Sequence, residues 1–482
     1  MTFRLIRAAF LVVLWAAFTA QTQVQTAFAA ELSTALPAEI DAALSRAKLP
    51  KDAISILVMD AAQSRVPRLS YRANVAVNPA SVMKLVTTYA ALDLLGPAYT
   101  WNTPVYVDGT VRNGTLQGNL IIKGLGDPKL VMERLWLLLR RVQGLGIKTI
   151  AGDVILDHSA FDVPEVDPAS FDGEALRPYN ASPDALLLNF KSIVMTFVPG
   201  PSGLAQISAD PALAGVQIPT SVPLKSGECG DYRATLKADF SDTSRIRLTG
   251  AYPASCGEKV WSVAYADPKS YAARAVEGQW RDLGGQLTGH VRDGKLPAGL
   301  RPTFAQASPP LADVVRDINK YSNNVMAQQV FLSLSLSPSS SSVATFEASR
   351  EVVLSWWKER FPGVDAPTLE NGSGLSRNER VTAQALGQML QSAYQSPVMP
   401  ELMSSLPIVG VDGTLRRSKV RTAQGAAHLK TGSLRDVTAV AGYVLGASGR
   451  RYVLVVIANH PALANNARPV LDAVIDWTLR DQ

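Results

Sequence analysis

Apolar residues recur at helical spacing in residues 36–48 (Leu36, Ile40, Ala43, Leu44, Ala47). They do so again from Ser81, where Val82, Leu85, Val86, Tyr89 and Leu92 fall three and four apart until Gly96-Pro97 stops the pattern. The spacing predicts a helix in each place, the second about 15 residues long with Ser81 in its first turn. Between them, Ala53-Ile54-Ser55-Ile56-Leu57-Val58-Met59 reads as a strand. At the far end, Val437 to Leu445 and Tyr452 to Ala458 are two β-rich runs around a turn holding Gly449, the pattern of a hairpin. A last helical segment carries Val470, Leu471, Val474, Ile475 and Leu479. Terminal helices flanking an antiparallel sheet, with a further helix at Ser81, predict an α+β layered fold.

Residues 99–299 have a different texture: short β-type runs, Gly-Asp and Asp-Gly turns, and few long helical patterns. They are expected to form an inserted, mainly β region that divides the α+β unit into a first part, 30–98, and a second part, 300–482. Residues 331–342 alternate Leu with Ser and end in Ser339 to Ser342, which reads as a frayed helix end or an exposed loop. No period of 20 to 50 residues is present, so a solenoid is excluded.

Residues 1–29 place Arg4 and Arg7 before an apolar run from Ala8 to Phe18 and end in Ala27-Phe28-Ala29, the order of a secretory signal peptide. The run is shorter than the roughly 20 residues a spanning helix needs. Cleavage at Ala29 or Ala30 is expected to release an exported protein; an uncleaved anchor is the other reading, and either places the rest of the chain outside the cytoplasm. Loss of Arg4 and Arg7 takes the formal charge from +6 to +4. The remaining bias is spread without a basic block or an aromatic-basic stripe, which argues against nucleic acid. The two cysteines, Cys229 and Cys256, are expected to pair in an oxidising compartment.

Ser81-Val82-Met83-Lys84 sets a hydroxyl and an amine at i and i+3, one above the other on a helix face, where the amine can take the hydroxyl's proton. A helix start adds a positive field and free N–H groups that favour developing negative charge. Lys84 can act as a base only if burial or a second cation depresses its pKa. Two other Ser-x-x-Lys tetrapeptides, at Ser45 and Ser355, lie late in or within helical patterns and are read as solvated or packing residues. Lys430-Thr431-Gly432-Ser433 stands just before the C-terminal hairpin; Gly432 permits close backbone approach and Lys430 offers a cation to a carboxylate. Ser322-Asn323-Asn324 breaks a helical region and would bring a second hydroxyl and an amide; Ser376-Arg377-Asn378 is a competing match. The four histidines, at 158, 290, 428 and 460, show no metal-ligand spacing, so neither a metal nor any other cofactor is expected.

Ser-x-x-Lys, Ser-x-Asn and Lys-Thr-Gly in that order form the penicillin-binding and β-lactamase constellation. With Pro79-Ala80 before Ser81, Gly124-Leu125-Gly126-Asp127-Pro128, Asn371-Gly372-Ser373-Gly374-Leu375-Ser376-Arg377 and Val411-Asp412-Gly413-Thr414-Leu415, the chain resembles the D-alanyl-D-alanine carboxypeptidase/endopeptidase family called penicillin-binding protein 4-like, or peptidase family S13. The 238 positions between Lys84 and Ser322 fit that family's inserted domains. One departure is Asn371, where many relatives carry Asp.

The resemblance implies a penicillin-binding/β-lactamase-like serine transpeptidase domain carrying a large insert. It implies cleavage of peptidoglycan stem peptides or cross-links in the periplasm, with β-lactams as acylating inhibitors and at most peripheral membrane contact. It assigns Ser81 as nucleophile, Lys84 as its base and Ser322 as proton relay. Asn324, Lys430, Thr431, Gly432 and Ser433 would bind substrate, with Asp157 and Arg377 added from the family's pocket. The N–H groups of Ser81 and Ser433 would form the oxyanion hole. A β-lactamase, or a non-catalytic peptidoglycan-binding protein, is the rival reading; the long insert argues against the first and the retained Lys84 against the second.

Overall fold

The computed structural model describes residues 35–62, 66–336, 343–461 and 467–481; the proposed export segment and Ser339 to Ser342 lie outside the described residues. The first helix, Ala38–Ala47, buries Ile40, Ala43, Leu44 and Ala47, and stops where Lys48 turns left-handed and returns its N–H to the carbonyls of Leu44 and Ser45. The next strand, Ile54–Asp60, lies beside the last strand of the chain, Arg451–Asn459. The full sheet runs in the order Ala427–Leu434, Val437–Leu445, Arg451–Asn459, Ile54–Asp60, Leu69–Tyr71, every pair antiparallel. One edge strand therefore carries Lys430 to Ser433.

The period of two along these strands decides the layers. Leu57, Met59, Val453, Val455 and Ile457 face a helical layer of Lys84–Leu95, Leu311–Tyr321, Asn324–Ser333, Phe346–Arg360 and Ala383–Tyr394. Ile54, Ile56, Val58, Leu454, Val456 and Ala458 face Ala38–Ala47 and the last helix, Arg468–Leu479. Burial on both faces explains why these strands read as nearly unbroken apolar runs. The hairpin, the Ser81 helix and both terminal helices fall where the hydrophobic pattern places them, and the architecture is the expected α+β layering.

Two larger sheets, and a two-stranded one of Ala238–Asp239 and Arg247–Leu248, occupy the middle of the described chain. One grows from the hairpin Asn102–Arg112 and Thr115–Lys123, adds Thr149–Ile150 and Val154–Asp157, and recruits Gln286–Leu287, Val291–Asp293 and Phe304–Ala307 when the chain returns. The other is centred on Ser192–Pro199, between Leu204–Asp210 and Lys259–Ala264. Helices Met132–Gly144 and Tyr271–Asp282 share one core with them, through Leu135, Leu138, Leu139, Tyr271, Val276 and Trp280. Phe304–Ala307 pairs with Asn102–Arg112, so the insert's pairing runs past residue 299.

One expectation is corrected here. Residues 332, 333 and 335 are neither frayed nor exposed: Leu332, Ser333 and Ser335 are buried, and Ser335 Oγ lies 2.9 Å from the buried Ser349 Oγ. The Leu-Ser alternation there serves packing, with each hydroxyl bonded inside the protein.

Cys229 and Cys256 are bonded, with Cα atoms 4.7 Å apart, and the bridge pins a long excursion of the second sheet. In the chain-entropy model such a loop closure contributes about 3 kcal/mol. Thiol titration of the denatured, unreduced protein should find no free sulfhydryl, and two per chain would show that the pair stays reduced.

Candidate active site

Ser81 lies in a single 3-10 turn, Ala80–Met83, that runs directly into the α-helix Lys84–Leu95. It therefore stands just ahead of the α-helix. A 3-10 turn eclipses residues i and i+3, which sets Lys84 under Ser81, with Nζ donating to Oγ at 2.8 Å. The turn is held from outside. Ala80 has φ +49°, costly for a residue with a Cβ, and its N–H is fixed by Asn78 Oδ1 at 2.8 Å. Gly374 lies against it so closely that a Cβ at 374 would stand 2.0 Å from the Ala80 carbonyl oxygen.

Lys84 is fully buried. Its Nζ also donates to Asn324 Oδ1 at 2.6 Å and to the carbonyl of Ser373. Burial pulls its pKa down to about 7, against the opposing pull of the Glu379 charge. That is the condition the sequence required of a lysine base, and burial meets it.

Ser322 ends helix Leu311–Tyr321 in the left-handed conformation, at φ 58°, and Asn323 caps the next helix by accepting the N–H of Met326. The break between two helices turns Ser322 toward Lys430, whose Nζ donates to Ser322 Oγ at 2.8 Å. It also turns Asn324 toward Lys84, while Asn324 Nδ2 donates to the carbonyl of Tyr179, a residue of the insert, at 3.1 Å. The rival triplet is a loop staple: Ser376 Oγ bonds the Glu370 carboxylate and accepts the N–H groups of Asn378 and Glu379.

The edge strand Ala427–Leu434 completes the group. A Cβ at Gly432 would lie 2.5 Å from the Pro79 carbonyl oxygen and 3.2 Å from Ser81 N, so only glycine lets the strand press on the nucleophile's turn. Thr431 Oγ1 pairs with Thr414 Oγ1 at 2.8 Å, and Ser433 is exposed. Lys430 is fully buried with no carboxylate among its bonded partners, which are Ser322 Oγ and the carbonyl of Thr431. Burial and the charge of Lys84 push its pKa well down. No anion beside Lys430 offsets the cost of burying its charge.

Two predicted pocket residues are not brought to this cluster. Asp157 commits one carboxylate oxygen to the N–H of Ser159 and the other to that of Leu296, stitching strand ends together. It does not line the cavity of about 1020 Å³ in the insert, whose wall includes its neighbour His158 with Asp184 and Lys191. Arg377 is half-exposed, paired with Asp436 at 3.0 Å and stacked 4.7 Å over the Phe171 ring. Glu379, Tyr179, Ser373 and Thr414 escaped sequence reasoning. So did the job of Asp412, which pairs with the buried Lys320, two residues before Ser322, at 2.6 Å.

A family model described as the D-Ala-D-Ala carboxypeptidase 3 (S13) family matches residues 36–479. The chain is 26% identical over 394 residues to D-alanyl-D-alanine carboxypeptidase DacB of Haemophilus influenzae, covering 81% of this chain and 82% of that one. It is 29% identical over 468 residues to the D-alanyl-D-alanine carboxypeptidase of Actinomadura sp. strain R39, covering 92% and 84%. Among solved structures, penicillin binding protein 4 from H. influenzae superposes with a TM-score of 0.72 at 23% identity, covering 92% of this chain and 99% of that one. The predatory peptidoglycan endopeptidase Bd3459 from Bdellovibrio bacteriovorus gives 0.51 at 16% identity, with 88% and 92% covered. At these identities the two structures establish a shared fold.

The contact between strand and turn is directly testable. Gly432→Ala should lower the stability of the folded chain by about 1–3 kcal/mol in denaturant unfolding, the usual cost of overpacking. A variant as stable as the parent would show that the strand does not press on the Ser81 turn.

Proposed function

Because the chain belongs to the D-Ala-D-Ala carboxypeptidase 3 (S13) family, we propose that it is a serine acyl-enzyme hydrolase that cleaves D-alanyl-D-alanine-type bonds with Ser81 as nucleophile. The observation that carries the reading is the hydrogen-bonded set of Ser81, Lys84 and Asn324 facing the pair Ser322 and Lys430. We assign 30–98 and the C-terminal part from 300 to the catalytic unit, residues 99–299 to the insert, and 1–29 to export into the periplasm. Among the described residues no helix is long and apolar enough to cross a membrane. Peptidoglycan stem peptides are the substrate of the carboxypeptidase reaction and cross-links that of the endopeptidase reaction, since both present the same bond.

The chemistry follows from the contacts. Neutral Lys84 accepts the Ser81 proton as Oγ attacks the penultimate D-Ala carbonyl carbon. The negative charge that forms on the carbonyl oxygen is met by the N–H groups of Ser81 and Ser433, where one such donor contributes about 2.7–4 kcal/mol. Collapse breaks the C–N bond while Ser322 Oγ, held by Lys430, gives its proton to the leaving nitrogen and takes up the one Lys84 gained from Ser81, which leaves Lys84 neutral for the next step. Water then hydrolyses the ester. The terminal carboxylate lies against Lys430, Thr431 and Ser433, restoring the lysine's charge. Asn324 keeps one N–H on Tyr179 and has its second for the substrate's amide carbonyl. A β-lactam offers its carbonyl at the same place and acylates Ser81.

A labelled penicillin should bind once per chain, on the peptide holding Ser81, with none on those holding Ser45 or Ser355; labelling of Ser81→Ala at the parent level would falsify the assignment. Because Lys84 must lose its proton before it can accept another, the second-order acylation rate constant should rise with pH through about 7. Lys84→Arg keeps the charge but cannot deprotonate, so acylation should nearly vanish, whereas Lys430→Arg should retain measurable acylation with weakened peptide recognition. If the first acylates as fast as the second, Lys84 is not the base.

A further inference from the structure

The loop Glu370–Arg380 contributes the Ser373 carbonyl to Lys84 and contains two carboxylates that the mechanism above does not use, of which Glu379 is the buried one. Glu379 is fully buried, and its Oε1 accepts three backbone N–H groups in succession, those of Glu370 at 3.0 Å, Asn371 at 3.2 Å and Gly372 at 3.3 Å. The next residue, Ser373, gives its carbonyl to Lys84 Nζ. Burial raises the Glu379 pKa above the usual carboxylate range, while the three N–H donors converging on one oxygen and the nearby Lys84 charge act the other way and favour the ionised form. The other oxygen, Oε2, is buried with no hydrogen-bond partner, so a neutral acid's O–H would have no acceptor there.

Asn371 ties the same loop to itself. Its Oδ1 accepts from the N–H and the hydroxyl of Ser373, and its Nδ2 donates to the Leu375 carbonyl at 3.0 Å. A carboxylate at 371 would set two acceptors face to face at Leu375. The loop therefore uses Asn371 as a neutral staple and carries its buried charge at 379.

We propose that Glu379 is a positioning residue that supplies the negative charge setting the basicity of Lys84. The proposal rests on the reading of Lys84 as general base. The groups facing Lys84 are Ser81 from the turn, Asn324 from the helix after it, the Ser373 carbonyl and Glu379 from the loop, and Lys430 from the edge strand. Of these only Glu379 is acidic. Glu370, the other carboxylate of the loop, is engaged by Ser376 Oγ and Asn378 Nδ2. Removing the Glu379 charge leaves Lys84 desolvated and without its counter-charge, a weaker base that is neutral over a wider pH range.

The test is the pH dependence of the second-order acylation rate constant with a labelled penicillin, measured on folded full-length variants. Glu379→Gln keeps an acceptor for the three N–H groups and loses only the charge. It should move the acid limb to lower pH by about one unit or more and reduce the plateau. Asn371→Asp adds a charge to the same loop and should move the limb to higher pH; the double variant should return it toward the parent. A limb that stays in place in folded Glu379→Gln overturns the proposal. If that variant does not fold, Glu379→Ala is read in the same way: a downward move of the limb supports the proposal and an unmoved limb overturns it. Acylation by Lys84→Arg at the parent rate would instead overturn the catalytic reading itself, so the two failures are told apart.

Discussion

An ammonium group taken out of water is among the costliest things a fold can hold, and the arrangement around Lys84 is organised by that cost. Its nitrogen has three acceptors drawn from three distant parts of the chain: the hydroxyl of Ser81, the amide of Asn324 and the carbonyl of Ser373. None of the three is charged, so they satisfy its hydrogens without restoring the solvation of a cation. The nitrogen is left poised between its two protonation states. Each acceptor is in turn pinned. Gly374 and Asn78 fix the turn, the cap at Asn323 fixes the helix junction, and Glu379 fixes the loop. The base exists only when all three segments have closed on it.

That closure runs through the insert as well as the core. Tyr179 lends its carbonyl to Asn324, and the Asp184 N–H donates to Oε1 of Gln329, on the same helix as Asn324. Lys129 pairs with Asp317 on the helix that ends at Ser322. The insert leaves the core after the Ser81 helix and returns just before the Ser322 helix, so its two anchor points flank the two halves of the site. A long excursion between the motifs is therefore compatible with a rigid site, because the excursion is stitched to the helix that presents Asn324.

The parts of this arrangement that were legible in the sequence are those with a local signature. Ser81 and Lys84 are three residues apart in one tetrapeptide, Gly432 marks a close backbone approach, and the break at Ser322 interrupts a helical period. Strands buried on both faces, as at Val453 to Ala458, were legible as unbroken β-rich runs. The rest was hidden because it is set by tertiary packing. Glu379 sits in Arg377-Asn378-Glu379-Arg380, a string that reads as solvated charge, yet it is buried because its neighbours' N–H groups turn inward. Tyr179 contributes a backbone carbonyl, which has no sequence signature at all. Asp157 has the residue type of a pocket acid, but its direction is decided by the N–H groups of Ser159 and Leu296. Leu332 to Ser335 look like loop by composition, and only the hydroxyl bonds made by Ser333 and Ser335 make their burial tolerable.

Two buried lysines in one site pose a problem that, in the proposed reaction, the substrate itself would resolve. Lys84 and Lys430 are both fully buried, and the charge of the first depresses the basicity of the second. With both protonated the site would carry two repelling cations and a single buried carboxylate. A substrate's terminal carboxylate beside Lys430 changes that balance: it compensates the ammonium there and reduces the field that Lys430 casts on Lys84. The proton leaving Ser81 can then settle on Lys84 without a second uncompensated cation being created. Recognition of the carboxyl end and activation of the nucleophile are in this sense one electrostatic event, which gives a physical reason for the Lys-Thr-Gly strand and the Ser-x-x-Lys turn to be pressed together through a glycine.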